Sequence, residues 1–229
     1  VVLIMEFIGF VVLFWSLSQH FPPGQAAWQA IFHAISGFNN AGFIIFPHRD
    51  GLSNFQNDFM VLVPLMVLII LGTLSYSVLV DIFRYRRFTR YTLDTKLVVF
   101  GTIALTVLGT VVLLISEYNN SATMGDMSIF AKVFHSLFHS VSGRTAGFTT
   151  INFGDMEQHS NFFLTGLMFI GGASASTAGG IKVNTLAVLV VAVLASLRGN
   201  THVTAFGREL PQPQIFRALA ILMLGMAMV

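Results

Sequence analysis

The sequence predicts an all-α integral membrane protein made of repeated helix–pore-loop–helix units, with re-entrant half-helices and one broken transmembrane helix. Three observations carry this prediction. The 229 residues are 55% hydrophobic and only 10% charged, against about a quarter charged in soluble domains, and the mean hydropathy is +0.77. Long apolar runs recur near the ~20 residues that a bilayer core demands of a helix. Two shorter apolar stretches each end in a polar, glycine-rich segment, with the same order of spans around them.

Residues 1–18 read as a helix, broken by His20-Phe21-Pro22-Pro23-Gly24 because proline and glycine punctuate helices. The short stretch 26–35 would be roughly 15 Å long, about half a bilayer core. It runs into Ser36-Gly37-Phe38-Asn39-Asn40-Ala41-Gly42-Phe43, then a loop over 47–57 and an apolar span over 59–80. The order then recurs. A basic loop, with Arg84, Arg86, Arg87 and Arg90, leads to a span over 96–116, a polar loop over 117–126 and a second short amphipathic stretch over 129–141. That stretch ends in Ser142-Gly143-Arg144-Thr145-Ala146-Gly147-Phe148-Thr149, and an apolar segment over 162–197 follows. A further span begins near residue 215. Phe32-His33-Ala34-Ile35-Ser36-Gly37 aligns with Phe138-His139-Ser140-Val141-Ser142-Gly143, and the two later glycines stand 147 − 42 = 105 residues apart. The expected organisation is one unit over 1–83, a cytoplasmic loop over 84–95, a second unit over 96–198, a cytoplasmic loop over 199–213 and the start of another unit over 214–229. Because the chain starts and stops inside apolar runs, with no signal-peptide pattern, it is expected to be a fragment of a longer protein.

Cysteine is absent, which removes disulfides and thiolate chemistry. The net charge is only +2, and the basic residues form no nucleic-acid stripe. They group instead in two loops: the first arginines with Lys96, and Arg198 with Arg208 and Arg217. The positive-inside rule makes those loops cytoplasmic, so both short helices dip in from the outer face. Asn119-Asn120-Ser121 is a formal glycosylation sequon on the expected outside and carries little weight.

Backbone that is not helical at membrane depth has unpaired N–H and C=O groups, tolerated only inside protein or against a watery cavity. The two glycine-rich segments therefore predict a cavity, and carbonyl oxygens lining it can replace the hydration shell of a small cation. The ligands would be main-chain oxygens near Asn39, Asn40, Ala41 and Gly42, and near Thr145, Ala146, Gly147 and Phe148. The competing reading is a pair of ordinary extramembrane turns. A second feature, Gly171-Gly172-Ala173-Ser174-Ala175-Ser176-Thr177-Ala178-Gly179-Gly180-Ile181-Lys182, interrupts an apolar segment too long for one span. Broken helices of this kind mark ion paths and moving parts, and Lys182 is a costly charge at depth. The alternatives are a small-residue packing face and a phosphate loop, which lacks its Gly-Lys-Ser/Thr ending. Arg144 would support the loop through its carbonyls, set an electrostatic barrier or face an outer vestibule. His135 and His139, spaced i, i+4, could hold a metal on one helical face; the other reading gives them, with His33, polar contacts behind the loops. The outer acids Asp50, Asp58, Glu117, Asp126, Asp155 and Glu157 would concentrate cations or simply be solvated. No nucleophile and base stand at a convincing spacing for an enzyme.

The three motifs together resemble the Trk/Ktr/HKT potassium-transporter superfamily, with the bacterial Ktr-type pore subunit nearest. The resemblance implies four repeats around one permeation path, with Gly42 and Gly147 as the filter glycines of the second and third. It also implies that residues 171–182 gate the path below the filter, and that the chain carries K⁺, with Na⁺ as a coupling or activating ion. A homodimer seated on a cytoplasmic nucleotide-binding ring in the bacterial plasma membrane is implied as well. A secondary transporter of another cation or small solute, using the broken helix as its binding site, is the alternative.

Overall fold

The computed structural model describes residues 1–47, 51–85, 87–199 and 202–227; Asp50 and Arg86 lie outside the described residues. The first helix, α1 (Val2–Leu17), is followed by α2 (Pro23–Phe38). α2 has 16 residues, about 24 Å at 1.5 Å each, so the expected ten-residue stretch is corrected. Pro23 occupies the first turn, where a missing N–H costs nothing, and the Ser-Gly-Phe end is still helical. Ala26, Ala30 and Ala34 recur every four residues on α2 and are buried against Leu13 and Leu17 of α1 and Leu62, Leu65 and Ile69 of α3 (Phe59–Thr73). Small side chains at that spacing let helices approach closely, which is what holds helices together in lipid. Asp58 starts α3 by accepting from the Met60 N–H at 2.9 Å, filling an otherwise orphan donor.

The apolar run over 59–80 is not one continuous helix. α3 stops at Thr73, and α4 (Tyr76–Arg84) departs at 103°. Leu74 is extended and the Ser75 side chain caps α4 by accepting from the Val78 N–H. The carbonyls of Gly72 and Thr73, freed by the break, accept from the backbone N–H groups of Thr177 (3.3 Å) and Ala173 (2.8 Å).

α5 (Leu93–Glu117) is, among the described residues, the one unbroken helix long and apolar enough to cross a bilayer. Asp81 of α4 ties down its start, accepting from the N–H of Thr92 and the hydroxyls of Thr92 and Thr95. Then come α6 (Ile129–Ser142), capped by Ser128, α7 (Gln158–Phe169), α8 (Val183–Leu197) and α9 (Gln212–Ala227). The segment expected as plain loop over 199–213 contains a hairpin, β1 (Thr204–Ala205) with β2 (Arg208–Glu209), whose turn places Phe206 and Gly207 at φ 50° and 76°. Phe206 meets Phe88 and Phe100, and the Lys96 ammonium lies over the Phe88 and Phe206 rings. The two basic segments thus share one end of the molecule.

Large apolar side chains stand bare on several helices: Leu3 is 79% exposed, Ile115 73%, Phe162 84% and Leu197 79%. Exposed apolar surface on this scale suits lipid or further protein rather than water.

Candidate functional site

α2 and α6 end in loops closed by corresponding bonds. After α2, the Ala41 N–H donates to the Ser36 carbonyl at 2.9 Å, and the Ser36 hydroxyl donates to the Phe43 carbonyl at 2.9 Å. After α6, the Ala146 N–H donates to the Ser142 carbonyl at 2.9 Å, and the Ser142 hydroxyl donates to the Phe148 carbonyl. Histidines behind each loop hold the outgoing strand. His33 Nε2 accepts from the Ile45 N–H at 3.5 Å, while His135 Nδ1 and His139 Nε2 lie 3.0 and 3.2 Å from the Thr150 hydroxyl. One ring nitrogen of each histidine of the i, i+4 pair thus faces the strand that leaves the loop, while His135 Nε2 has no partner among the described residues.

Both loops also share a backbone pattern. Asn40 and Gly42 have φ of 52° and 72°, and Thr145 and Gly147 have 72° and 80°, with an alanine of ordinary φ between each pair. Left-handed conformations on alternate residues turn the peptide planes so that successive carbonyls no longer point to opposite sides. Glycine takes such angles freely, but a β-branched residue such as Thr145 does not, at a cost of about 1–3 kcal/mol. The loops converge: a Cβ added to Gly42 would lie 2.5 Å from the Ala146 carbonyl oxygen and 3.1 Å from Gly147 Cα. Asn39 donates to both the Glu6 carboxylate (2.7 Å) and the Ile35 carbonyl (2.9 Å).

Arg144 is fully buried, which removes the outer-vestibule reading. Its Nη2 donates to the Thr106 hydroxyl of α5 at 3.1 Å rather than to a carbonyl of its own loop. Nε and Nη1 have no hydrogen-bond partner among the described residues.

Residues 170–182, between α7 and α8, fold back on themselves. The Gly171 N–H donates to the Ile181 carbonyl, the Ile181 N–H to Phe169 and the Val183 N–H to Gly172, each at 2.9 Å. Gly171, Gly172 and Ala173 are buried at this base, while Ser174, Ala175, Ser176 and Thr177 form the tip. Ala178 supplies a carbonyl to the Lys182 ammonium, so that charge is spent inside the loop. Ser174 bonds to Asn184, which bonds to Asp94 at the start of α5. The loop touches both preceding ones: Asn40 Nδ2 donates to the Thr177 hydroxyl at 2.8 Å, and a Cβ on Gly179 would sit 4.0 Å from Thr145 Cγ2.

A family model described as TrkH, cation transport protein, matches residues 1–228. The chain belongs to the TrkH family of cation transport proteins. This TrkH-family chain is 38% identical over 217 residues to Ktr system potassium uptake protein B of Bacillus subtilis, covering 95% of this chain and 48% of that protein. It is 36% identical over 219 residues to potassium/sodium uptake protein NtpJ of Enterococcus hirae, covering 95% and 48%. The chain thus spans about half the length of these relatives. A crystal structure of the potassium transporter TrkH from Vibrio parahaemolyticus shares the fold, with TM-score 0.74 and 21% identity over 95% of this chain and 45% of that one. The TrkH-family assignment is one of cation transport rather than of catalysis.

Several residues of this TrkH-family chain carry more than their sequence setting suggests. Glu6 is an acid within an apolar helix, a signal that by itself marks a functional candidate. Glu117, expected among the outer acids, is fully buried and accepts from the Ser160 and Thr123 hydroxyls, the Asn120 amide and the Glu157 N–H. Asp58 is likewise engaged, as the α3 cap and 2.6 Å from His20 Nε2. Gly72 had no local signal as a contact point: a Cβ there would fall 1.8 Å from the Phe38 carbonyl oxygen.

Proposed function

We propose that the chain forms two of four repeats of a potassium-conducting pore, units 1–83 and 96–198, in the bacterial plasma membrane. Main-chain oxygens of residues 39–42 and 145–148 coordinate K⁺, and residues 171–182 gate the path beneath them. α2 and α6 enter from the outer face, so their C-terminal ends, with the negative end of each helix dipole, favour a cation at the loops. The observation that carries the reading is the convergence of Gly42 on Ala146 and Gly147, with the third loop against both. The relatives' names, potassium uptake protein among them, agree with it.

The relative named for both potassium and sodium supports Na⁺ as a second permeant, coupling or activating ion. The partners proposed are membrane lipid, a second copy of the subunit and a cytoplasmic nucleotide-binding regulatory ring. The test is uptake of Rb⁺ and Na⁺ in cells lacking their own potassium systems, with residues 1–229 in their native polypeptide. Gly42→Ser is expected to lower the preference for K⁺ over Na⁺, because its Cβ meets the Ala146 carbonyl and its φ is left-handed. An unchanged preference would overturn the filter assignment.

A further inference from the structure

We propose that the Thr177 hydroxyl is the latch that closes the 171–182 loop and couples it to the first filter loop through Asn40. The proposal rests on the reading of residues 39–42 as filter and 171–182 as gate, and it assigns the coupling to one atom.

At the crossing of α2 and α3, Gly72 lets two carbonyl oxygens at helix C-terminal ends stand side by side, those of Phe38 and Gly72. Both carry the negative end of a helix dipole, so the pair repels unless a donor lies between them. The Thr177 hydroxyl lies there, 2.8 Å from the Gly72 oxygen and 3.0 Å from the Phe38 oxygen. The same oxygen accepts from Asn40 Nδ2 at 2.8 Å, and the Thr177 N–H adds a bond to the Gly72 carbonyl at 3.3 Å. One side chain therefore joins the ends of α2 and α3, the filter loop and the gating loop.

The loop's construction fits a latch. Its base is zipped by backbone bonds and buried, whereas Thr177 itself is exposed, so the tip can leave without unpacking an apolar core. Departure strips Asn40 Nδ2 of its hydroxyl acceptor, and the only other acceptor it meets among the described residues is the Phe38 carbonyl at 3.4 Å. Asn40 begins the left-handed pair of the filter loop, so a change in its side-chain bonding acts directly on the carbonyls proposed to hold the ion. Opening and ion preference are then linked properties.

The experiment compares Thr177→Val, which keeps the shape and removes the hydroxyl, with Thr177→Ser, which keeps the hydroxyl, in the native polypeptide. Rb⁺ flux and the K⁺/Na⁺ preference are both read, with deletion of residues 171–180 as the reference for an absent gate. Thr177→Val is expected to raise flux about five- to tenfold, the shift in closed population from losing one or two ordinary hydrogen bonds, and to alter the K⁺/Na⁺ preference. Thr177→Ser is expected to match the parent in both. Should Thr177→Val fail to accumulate, Thr177→Ala serves in its place. Unchanged flux and preference in the valine variant, beside raised flux in the deletion, would overturn the latch and leave the gate standing. Raised flux with an unchanged preference would overturn the coupling to Asn40. Unchanged flux in the deletion itself would overturn the gate reading instead.

Discussion

At the scale of single residues, the site depends on atoms that are missing as much as on atoms present. Gly72 has no side chain because the Phe38 carbonyl fills that space, with 1.8 Å to a would-be Cβ. Backbone cannot yield there as a flexible side chain would, so Gly72→Ala is expected to cost about 1–3 kcal/mol, read as a lower melting temperature of the purified protein in detergent. An unshifted melting temperature would show that α2 and α3 can separate freely at this crossing. Glu117 holds by the opposite means, a buried carboxylate saturated by four donors from neighbouring segments of chain. Glu117→Leu strips those donors of their acceptor, at about 1–3 kcal/mol for each group left unsatisfied. Its melting temperature should fall further than that of Asp126→Ala, a change at an acid whose side chain makes no hydrogen bond or ion pair among the described residues. Hydropathy and spacing alone could not separate these two acids, because both stand in the same polar stretch and only the fold brings Ser160 and Glu157 to one of them.

At the scale of elements, hydropathy located the helices well and misjudged where they bend. Residues 59–80 read as one span because every position from Phe59 to Ile70 is apolar and Leu79-Val80 resume the run. What breaks it is tertiary: the Gly72 and Thr73 carbonyls find donors far along the chain, at Thr177 and Ala173. A local signal was nonetheless present, since Gly72-Thr73 followed by Ser75 reads as a helix stop and a new cap. The proline-glycine pair misled in the other direction, making α2 look shorter than it is, because Pro23 reads as a breaker and in fact sits in the first turn. The glycine-rich interruption is legible to within a residue of the observed gap between α7 and α8, because a run of small residues breaks the apolar pattern sharply at both of its ends. Its contacts with Asn40 and Thr145 carry no periodicity and could not be read. Removing residues 171–180 takes away Ala173, Thr177 and the bonds that seal the α3 end, so Rb⁺ flux in the native polypeptide is expected to rise. Flux at or below the parent level would mean that the loop supports the path instead of closing it.

At the scale of the whole molecule, one geometry governs the rest. Two helices end at the same place, and their loops carry the same left-handed pairs 105 residues apart, Asn40 with Gly42 and Thr145 with Gly147. Corresponding serine and histidine contacts brace each loop from behind, and a third loop lies against both. α1, α5, α8 and α9 carry bare apolar faces, on which lipid and the two further repeats of the proposed pore would pack. The central claim is that the converging carbonyls hold a permeant cation. It is tested most directly by anomalous diffraction from crystals of the native polypeptide grown in Rb⁺. The expected result is an anomalous peak in contact with main-chain oxygens of residues 39–42 and 145–148, weakened in Gly42→Ser. A peak lying elsewhere in the membrane region, with none between these two loops, would contradict the claim.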